Sequence, residues 1–422
     1  MSFRAETSGR SGENKMEMKK IIYILILLAA VSCTDFKAFD PYEETLNVLT
    51  VRSEWTKDEG SREGFKVQVE DMNTGAGYLA VSDSIGSTSF DLPNGLYRVS
   101  MTGKLGDYMF NGTMDRVAVS NADKDVTLSL TMSKSGAIVI KEIYCGGCKK
   151  LPQEGDYQSD QYFILHNNDF NVQYLDGICF GTLSPYNSNS TNPWTVKDPQ
   201  TGVLTYPDFL PIIQAVWKFP GDGDDFPLQP GEDAVVCLRG AIDHASQFPL
   251  SVNLDVPGYF VCYNPIYFNN TAYHPAPGVN ISEDRYLEVV IKTGKANAYT
   301  LSLSSPTLVM FKAKEVTIED YVRVADNITP VPGNKVDNVV KVPFDWVMDA
   351  VEVFDGRSAT NVKRLPSEVD AGYVTQTDIF TGRSLMRKVD EQLSQSSGYE
   401  VLTDTNNSSE DFYETERQSL HE

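Results

Sequence analysis

Short runs of apolar and β-branched residues, divided by glycine, proline, asparagine and aspartate, recur along most of this chain. Phe65–Val69 and Leu96–Met101 alternate apolar with polar residues, which is the period of a strand with one buried face. Asp71–Gly75 and Pro93–Gly95 place turn-forming residues beside these runs. Helical periodicity is scarce, so the pattern predicts an all-β chain.

Residues 45–133, here called the first block, contain regularly spaced strand patterns with turns between them, as in a β-sandwich. The segment Phe90–Val99 resembles transthyretin-like and carboxypeptidase-regulatory-like modules, and this resemblance implies a spacer. Ser133–Gly136 is the expected hinge to the rest of the chain. The predicted strands are Leu46–Val51, Phe65–Val69, Ser87–Leu92, Leu96–Met101, Val117–Val119 and Val126–Leu130.

Residues 137–415, the second block, contain a series of segments that resembles the lamin-tail domain, an immunoglobulin-like sandwich. One departure is that Phe163, Ile164 and Leu165 follow the Gln-Tyr pair, where that family usually carries an acidic residue. The resemblance implies a second sandwich in tandem with the first. The matching segments are Ile138–Tyr144, Gln161–Tyr162, Leu175–Gly177, Leu228–Val236, Trp346–Glu352, Gly382–Lys388 and Asp404–Phe412.

The second block is much longer than the lamin-tail pattern. The surplus falls into insertions near residues 181–227 and 243–340, which we expect to lie at the ends of the sandwich as loops. Loops held by a rigid scaffold are where binding residues concentrate. The predicted fold is therefore two immunoglobulin-like or transthyretin-like β-sandwiches in tandem, the second with long loop insertions.

The N-terminal stretch has the order of a secretory signal peptide. Two lysines precede the apolar run Ile21–Val31, whose 11 residues are well short of the roughly 20 that a membrane-spanning helix needs. The end of this run, Leu28–Cys33, resembles a bacterial lipoprotein box. The resemblance implies that residues 1–32 are a leader and signal peptide and that Cys33 is lipidated, whereas the alternative is a plain secreted protein.

Residues 33–44 form an acidic tether with four carboxylates between Asp35 and Glu44. The tether resembles the tags that send lipoproteins of gut Bacteroidetes to the cell surface, which implies a lipid-anchored, surface-facing protein of the outer membrane. Without residues 1–32, the 36 basic and 58 acidic residues fall to 31 and 55, a net charge of −24. This charge argues against nucleic acid as a partner, because phosphate binding needs the opposite sign.

The whole chain is similar to an uncharacterised family of Bacteroidetes lipoproteins that is described only as a domain of unknown function. Members of that family tend to be encoded near TonB-dependent outer-membrane receptors. The resemblance therefore implies nutrient uptake, in which the protein partners a TonB-dependent transporter and captures a nutrient, a metal or haem. The residues themselves identify no cofactor.

Cys145 and Cys148 flank two glycines, and thiols at this spacing can ligate a metal, form a small disulfide or close a turn. The chain has four histidines and no second pair of this kind, which weakens the case for structural zinc. An oxidising compartment favours a local disulfide instead. Cys179, Cys237 and Cys262 lie in apolar strand patterns and are predicted to be buried free thiols.

Asp222, Asp224 and Asp225 form an acidic loop in the first insertion. Carboxylate oxygens at this spacing could hold Ca²⁺. The remaining positions of an EF-hand loop are missing, and the favoured alternative is a solvated turn.

Two histidines and a group of aromatic residues mark the second insertion. His244 and His274 could each bind a metal or a haem edge, although a lone histidine is more often an ordinary hydrogen-bonded residue. Tyr263 and Tyr267 belong to an aromatic stretch from Tyr259 to Tyr273 that also contains asparagines, and this combination suits recognition of a flat or sugar-like ligand. Packing of this loop onto the sandwich is the alternative that we favour.

No motif of a nucleophile elbow, a phosphate-binding loop, a dinucleotide site or a zinc protease occurs in the sequence. We therefore expect a binding or accessory protein that acts through its insertions, and not an enzyme. The alternative is a structural or adhesive surface lipoprotein that makes protein–protein contacts and takes no small ligand.

Overall fold

The computed structural model describes residues 46–54, 61–105, 108–134, 136–200, 204–334 and 336–421. The predicted leader, Cys33 and the acidic tether lie outside these ranges. Strands form nearly all of the regular structure within them, and helices are few and short. The predicted all-β class is therefore confirmed. In the described ranges, no helix combines the length and the apolar character that crossing a membrane requires.

The strands of the first block form two sheets. One has the order β4-β1-β7, with β1 antiparallel to β4 and parallel to β7, and the other has the order β3-β2-β5-β6-β8. The strands are β1 (Asn47–Glu54), β2 (Lys66–Asp71), β3 (Gly77–Val81), β4 (Ser87–Leu92), β5 (Gly95–Leu105), β6 (Tyr108–Val119), β7 (Lys124–Ser129) and β8 (Thr131–Lys134).

Apolar and polar residues alternate along these strands, and the apolar face of each strand is buried. Leu49 and Val51 of β1 are buried, as are Val67 and Val69 of β2, while the residues between them are more exposed. These side chains meet in one hydrophobic core that draws on both sheets, including Tyr97 of β5. All the predicted strands of this block are present, with small differences at their ends.

The second block contains two larger sheets and several two-stranded ribbons. One sheet has the order β20-β19-β12-β9-β27-β28, and the other has the order β23-β24-β17-β14-β22-β25-β26 with β21 also paired to β17. The strands are β9 (Ile138–Tyr144), β10 (Cys148–Lys149), β11 (Asp156–Tyr157), β12 (Tyr162–Asn167), β13 (Gln173–Tyr174), β14 (Cys179–Leu183), β15 (Val196–Lys197), β16 (Leu204–Thr205), β17 (Phe209–Lys218), β18 (Pro227–Leu228), β19 (Asp233–Cys237), β20 (Phe260–Val261), β21 (Glu288–Lys292), β22 (Thr307–Phe311), β23 (Ile328–Pro330), β24 (Asn338–Pro343), β25 (Val347–Asp355), β26 (Val374–Gln376), β27 (Leu385–Arg387) and β28 (Phe412–Glu414).

The helices of the second block are short and start at capped positions. Side chains of Thr317, Asp390 and Asn407 accept hydrogen bonds from backbone N–H groups in the first turns of the three α-helices. The α-helices are α1 (Ile318–Arg323), α2 (Glu391–Ser397) and α3 (Ser408–Asp411), and single 3₁₀ turns lie at Glu283–Arg285, Ala325–Asn327 and Phe344–Trp346.

The structure differs from the prediction that the insertions are loops outside the sandwich. β17 comes from the first insertion, and β22 comes from the second and lies between β14 and β25. Every residue of β22 is buried, because it contacts neighbours on both of its faces. Trp217 of β17 joins Phe163 and Phe180 in the core between the two large sheets.

A buried cluster of charges, here called the Arg387 cluster, joins three of the segments that resemble the lamin-tail pattern. The Arg387 guanidinium lies 2.6 Å from a carboxylate oxygen of Asp349, 3.2 Å from Asp404 and 3.3 Å from Asp411. All four side chains are almost completely buried. Burial raises the pKa of Asp349 to about 6 and that of Asp411 to about 7, although Arg387 acts to lower both.

A second buried ion pair joins β25 to the segment that follows it. Lys363 Nζ lies 2.6 Å from a carboxylate oxygen of Glu352, which is fully buried, and also donates to the carbonyl oxygens of Asp370 and Gly372. Burial raises the pKa of Glu352, and Lys363 opposes that shift. Asn187, from the first insertion, donates to the same carboxylate.

The two blocks touch along one side of the first block. Lys66 forms an ion pair with Glu410, and Asn111 Nδ2 donates to the Thr405 carbonyl oxygen at 2.7 Å. The Arg98 guanidinium lies 4.5 Å from the centre of the Tyr373 ring. The first block is therefore packed against the second by polar and charged contacts.

Candidate functional site

A cavity of about 320 Å³ opens between the β13–β18 ribbon and the edge of the six-stranded sheet. We call it the arginine pocket. Its apolar walls include Leu175, Phe226, Leu228 and Phe260, and its charged residues are Glu232, Asp233 and Arg285.

Asp176 shapes the wall of the pocket that carries Phe226. Its carboxylate accepts hydrogen bonds from the backbone N–H groups of Gly223, Asp225 and Phe226 at 2.9–3.0 Å. These bonds outweigh the effect of burial and hold the pKa of Asp176 below its usual range. Gly221 lets the loop close on this carboxylate, since a Cβ there would lie 2.1 Å from Asp176 Oδ1.

Arg285 reaches the pocket from the 3₁₀ turn Glu283–Arg285 and lies on two aromatic rings. Its guanidinium carbon is 4.9 Å from the centre of the Phe226 ring and 4.7 Å from that of Phe260. Contacts of this kind stabilise a cation over the face of a ring. The guanidinium forms no hydrogen bond or ion pair with any other residue that the structure describes, so its N–H donors are available to a ligand.

The two carboxylates of the pocket are already engaged. Asp233 lies 2.6 Å from Lys141 Nζ and 2.6 Å from His166 Nδ1. Glu232 accepts a hydrogen bond from the Gln229 backbone N–H at 2.7 Å. Asp233 therefore shares its charge with Lys141, Glu232 keeps its negative charge, and Arg285 is a cation of the pocket without a carboxylate partner among the described residues.

The loop that was predicted to bind calcium is organised by Asp176, a residue that the prediction did not include. Asp222, Asp224 and Asp225 are exposed, and the loop folds around the Asp176 carboxylate. In the parts of the chain that the structure describes, no group of three or more His, Cys, Asp or Glu side chains is placed to hold a metal ion. The three carboxylates lie in an exposed turn whose backbone contacts Asp176.

The structure buries His244 and gives both of its ring nitrogens a partner. Nδ1 lies 2.6 Å from the Tyr157 hydroxyl, and Nε2 lies 2.8 Å from the Gly240 carbonyl oxygen. Burial lowers the pKa of His244 and so favours the neutral ring. A metal or a haem edge would have to displace one of these partners.

The other predicted binding residues of the second insertion lie apart from the arginine pocket. His274 is buried, with Nε2 against the backbone of Tyr299 at 2.8–3.0 Å and its ring stacked on Phe268. Tyr263 packs edge-on against Tyr286, and Tyr267 is exposed. The packing interpretation therefore describes His274 and Tyr263, while Tyr267 remains open to solvent.

Cys145 and Cys148 are free and buried, and each has its own hydrogen-bond acceptor. Cys145 Sγ lies 3.0 Å from Gln376 Oε1, and Cys148 Sγ lies 3.6 Å from a carboxylate oxygen of Asp160. Burial raises the pKa of both thiols to about 12, which favours their protonated form.

The three other described cysteines lie in the cores. Cys179, Cys237 and Cys262 are free and buried. Burial raises the pKa of each of these thiols.

Three apolar side chains project into solvent beside the arginine pocket. Phe170 is 79% exposed, Val172 is 37% exposed and Tyr174 is 39% exposed. Tyr174 belongs to β13 and is paired with Pro227, which lines the pocket. We call these residues the apolar row.

Residues 229–419 match the model of DUF4876, a family described as "Protein of unknown function". No curated protein matches the chain.

The chain shares its fold with a DUF4876 family protein from Bacteroides thetaiotaomicron VPI-5482, whose crystal structure is known. The two are 24% identical, the match covers 89% of this chain and 95% of that one, and the TM-score is 0.56. A streptococcal ancillary pilin matches at 14% identity, with a TM-score of 0.17, over 45% of this chain and 51% of that one. The TIE protein of Bacillus anthracis matches at 11% identity, with a TM-score of 0.16, over 44% of this chain and 32% of that one. The last two likenesses are too remote to support an argument about fold or function.

The region that matches DUF4876 contributes only part of the arginine pocket. Phe260 and Arg285 lie inside it, whereas Leu175 and Phe226 precede it. Sequence reasoning missed Arg285 and Asp176. The Leu-Asp-Gly turn around Asp176 was visible in the sequence, but its contact with the acidic loop, about fifty residues later, was not.

Proposed function

We propose that this chain is a lipid-anchored binding protein of the outer membrane that faces the cell surface and holds a small organic anion in the arginine pocket. The observation that carries the proposal is Arg285, an uncommitted guanidinium placed on two aromatic rings at a cavity whose walls include apolar side chains. Guanidinium groups bind carboxylate and sulfonate oxygens well, and the apolar side chains of the walls suit an apolar body attached to such a group. The protein would bind this ligand without turnover.

The proposal includes a partner. The resemblance to lipoproteins encoded near TonB-dependent receptors supports delivery of the ligand to a TonB-dependent transporter. A small pocket on a surface-anchored protein suits this role, since the ligand must be captured and then released.

Arg285→Ala should weaken binding of anilinonaphthalene sulfonate, an apolar anion, by about tenfold or more, because a charge-assisted hydrogen bond contributes roughly 1.5–3 kcal/mol. Fluorescence titration of the purified full chain measures this affinity. Arg323→Ala is the matched control, because Arg323 is an exposed arginine that pairs with Asp320 and does not line the pocket. Equal affinity in the wild type and in Arg285→Ala would reject the arginine pocket as the binding site.

Cys33→Ser should move the protein from the membrane fraction to the soluble fraction, because the diacylglyceryl group is attached to that thiol. Fractionation of cells, followed by detection of the chain in each fraction, measures the change. Cys179→Ser is the matched control, since Cys179 is a buried thiol of the second block. A Cys33→Ser protein that stays in the membrane would rule out the lipid anchor.

The apolar row supports a second function, that of a structural or adhesive surface lipoprotein. Exposed Phe170, with Val172 and Tyr174 beside it, is the kind of surface that contacts another protein. This function predicts a protein partner and no small ligand. The fluorescence titration with anilinonaphthalene sulfonate therefore distinguishes it from the binding function.

A further inference from the structure

A second cavity, of about 440 Å³, lies where the two blocks meet, and we call it the inter-block cleft. Lys66, Thr102 and Met109 line it from the first block. Lys388, Thr403 and Glu410 are among the residues that line it from the second. It is distinct from the arginine pocket, with which it shares no residue.

The cleft contains more positive than negative charge. Lys66 forms an ion pair with Glu410, whereas Lys388 Nζ donates to the Glu410 backbone carbonyl at 2.5 Å and has no carboxylate partner among the described residues. The next carboxylate, that of Asp411, belongs to the Arg387 cluster. Two ammonium groups therefore face one carboxylate, in a chain whose net charge is −22.

Donors for an anion remain free in the cleft. An ammonium group has three N–H donors, and the contacts with Glu410 occupy one donor of each lysine. The Thr403 hydroxyl makes no hydrogen bond with another described residue, so it is a further donor group beside the two ammonium groups. Burial lowers the pKa of Lys66, the charge of Lys388 lowers it further, and the Asp411 carboxylate acts in the opposite direction.

We propose that the inter-block cleft binds a ligand that carries a sulfate or phosphate group, with Lys66 and Lys388 donating to its oxygens from opposite blocks. A tetrahedral oxyanion has several acceptor oxygens and can contact both ammonium groups at once. The cleft has room for a larger body attached to that group. Because the two lysines belong to different blocks, binding would also strengthen the contact between the blocks.

Calorimetric titration of the purified full chain tests this proposal, with sodium sulfate and sodium phosphate titrated separately at an ionic strength held constant with sodium chloride. We expect Lys66→Ala and Lys388→Ala each to weaken binding about tenfold, and Lys66→Arg to retain it. Lys197→Ala is the control, because Lys197 is an exposed lysine of β15 outside the cleft. Thermal unfolding of each variant checks that it is folded.

Glu410→Gln separates loss of a binding site from damage to the fold. Removing the Glu410 carboxylate removes the negative charge that competes with a ligand for Lys66, so this variant should bind the oxyanion several-fold more tightly than the wild type. Binding of either oxyanion that weakens in both alanine variants and tightens in Glu410→Gln supports the proposal. Absence of binding to both oxyanions, or affinities that are equal in the wild type and the lysine variants, would overturn it.

Discussion

Arg387→Met should lower the free energy of unfolding by about 3–5 kcal/mol, because it leaves Asp349, Asp404 and Asp411 buried without their counter-charge. The carboxylates can relieve part of this cost by taking up protons. The decrease in the free energy of unfolding should therefore be larger at pH 8 than at pH 5, where Asp349 and Asp411 are mostly protonated. Denaturation in urea at the two pH values measures both effects.

Arg383→Met provides the matched control on the same segment. Arg383 pairs with Glu414 at 3.1 Å, and its side chain is 42% exposed. Ion pairs in such positions contribute roughly 0–1 kcal/mol, so this variant should unfold almost as the wild type does. If Arg387→Met and Arg383→Met lowered the free energy of unfolding equally, the Arg387 cluster would have no special role in stability.

Lys363→Met should also lower the free energy of unfolding by about 3–5 kcal/mol, since Glu352 is then left fully buried without its cation. Methionine keeps an unbranched side chain, one heavy atom shorter, but lacks donors for the carbonyl oxygens of Asp370 and Gly372. Burial already raises the pKa of Glu352, and removal of Lys363 raises it further. A carboxylate whose pKa is higher in the folded state destabilises that state as pH rises, so the loss should grow from pH 5 to pH 8 in urea denaturation.

The double variant Lys363→Met, Glu352→Gln tests the cause of that loss. Glutamine retains an acceptor for Asn187 and for the Arg364 backbone N–H but carries no charge. The double variant should therefore be more stable than Lys363→Met at pH 8, and its stability should depend less on pH. If the double variant were less stable than the single one at both pH values, a buried charge would not be the source of the loss.

The two blocks differ in how far their strands could be predicted from the sequence. In the first block, each strand has one face in a core and one toward solvent, so Phe65–Val69 shows the alternation that identifies it. Strands β17 and β22 are covered on both sides, so apolar and polar residues do not alternate along them. β17 also contains Pro211, which is unusual within a strand. Sequence reasoning therefore placed them in insertions, although they lie inside the eight-stranded sheet.

The candidate site was less predictable than the fold, because it depends on contacts between distant residues. Asp176 and Phe226 meet only when the acidic loop folds back, and Arg285 approaches Phe260 from another turn. The sequence around a single charged residue such as Asp176 or Arg285 has no pattern that predicts its distant partners. The segments that resemble the lamin-tail pattern were easier to identify, and Arg387 shows one physical reason, since three of those segments contribute to its cluster.

The position of β9 in its sheet constrains the order in which the protein can be completed. β9 is the first strand of the second block, yet it lies between β12 and β27, and β27 is one of the last strands of that block. A ribosome would therefore have to release the second block as far as β27 before this sheet could close, so folding of the block lags behind its synthesis. In the export proposed above, this delay would keep the second block unfolded until its last strands have also crossed the membrane.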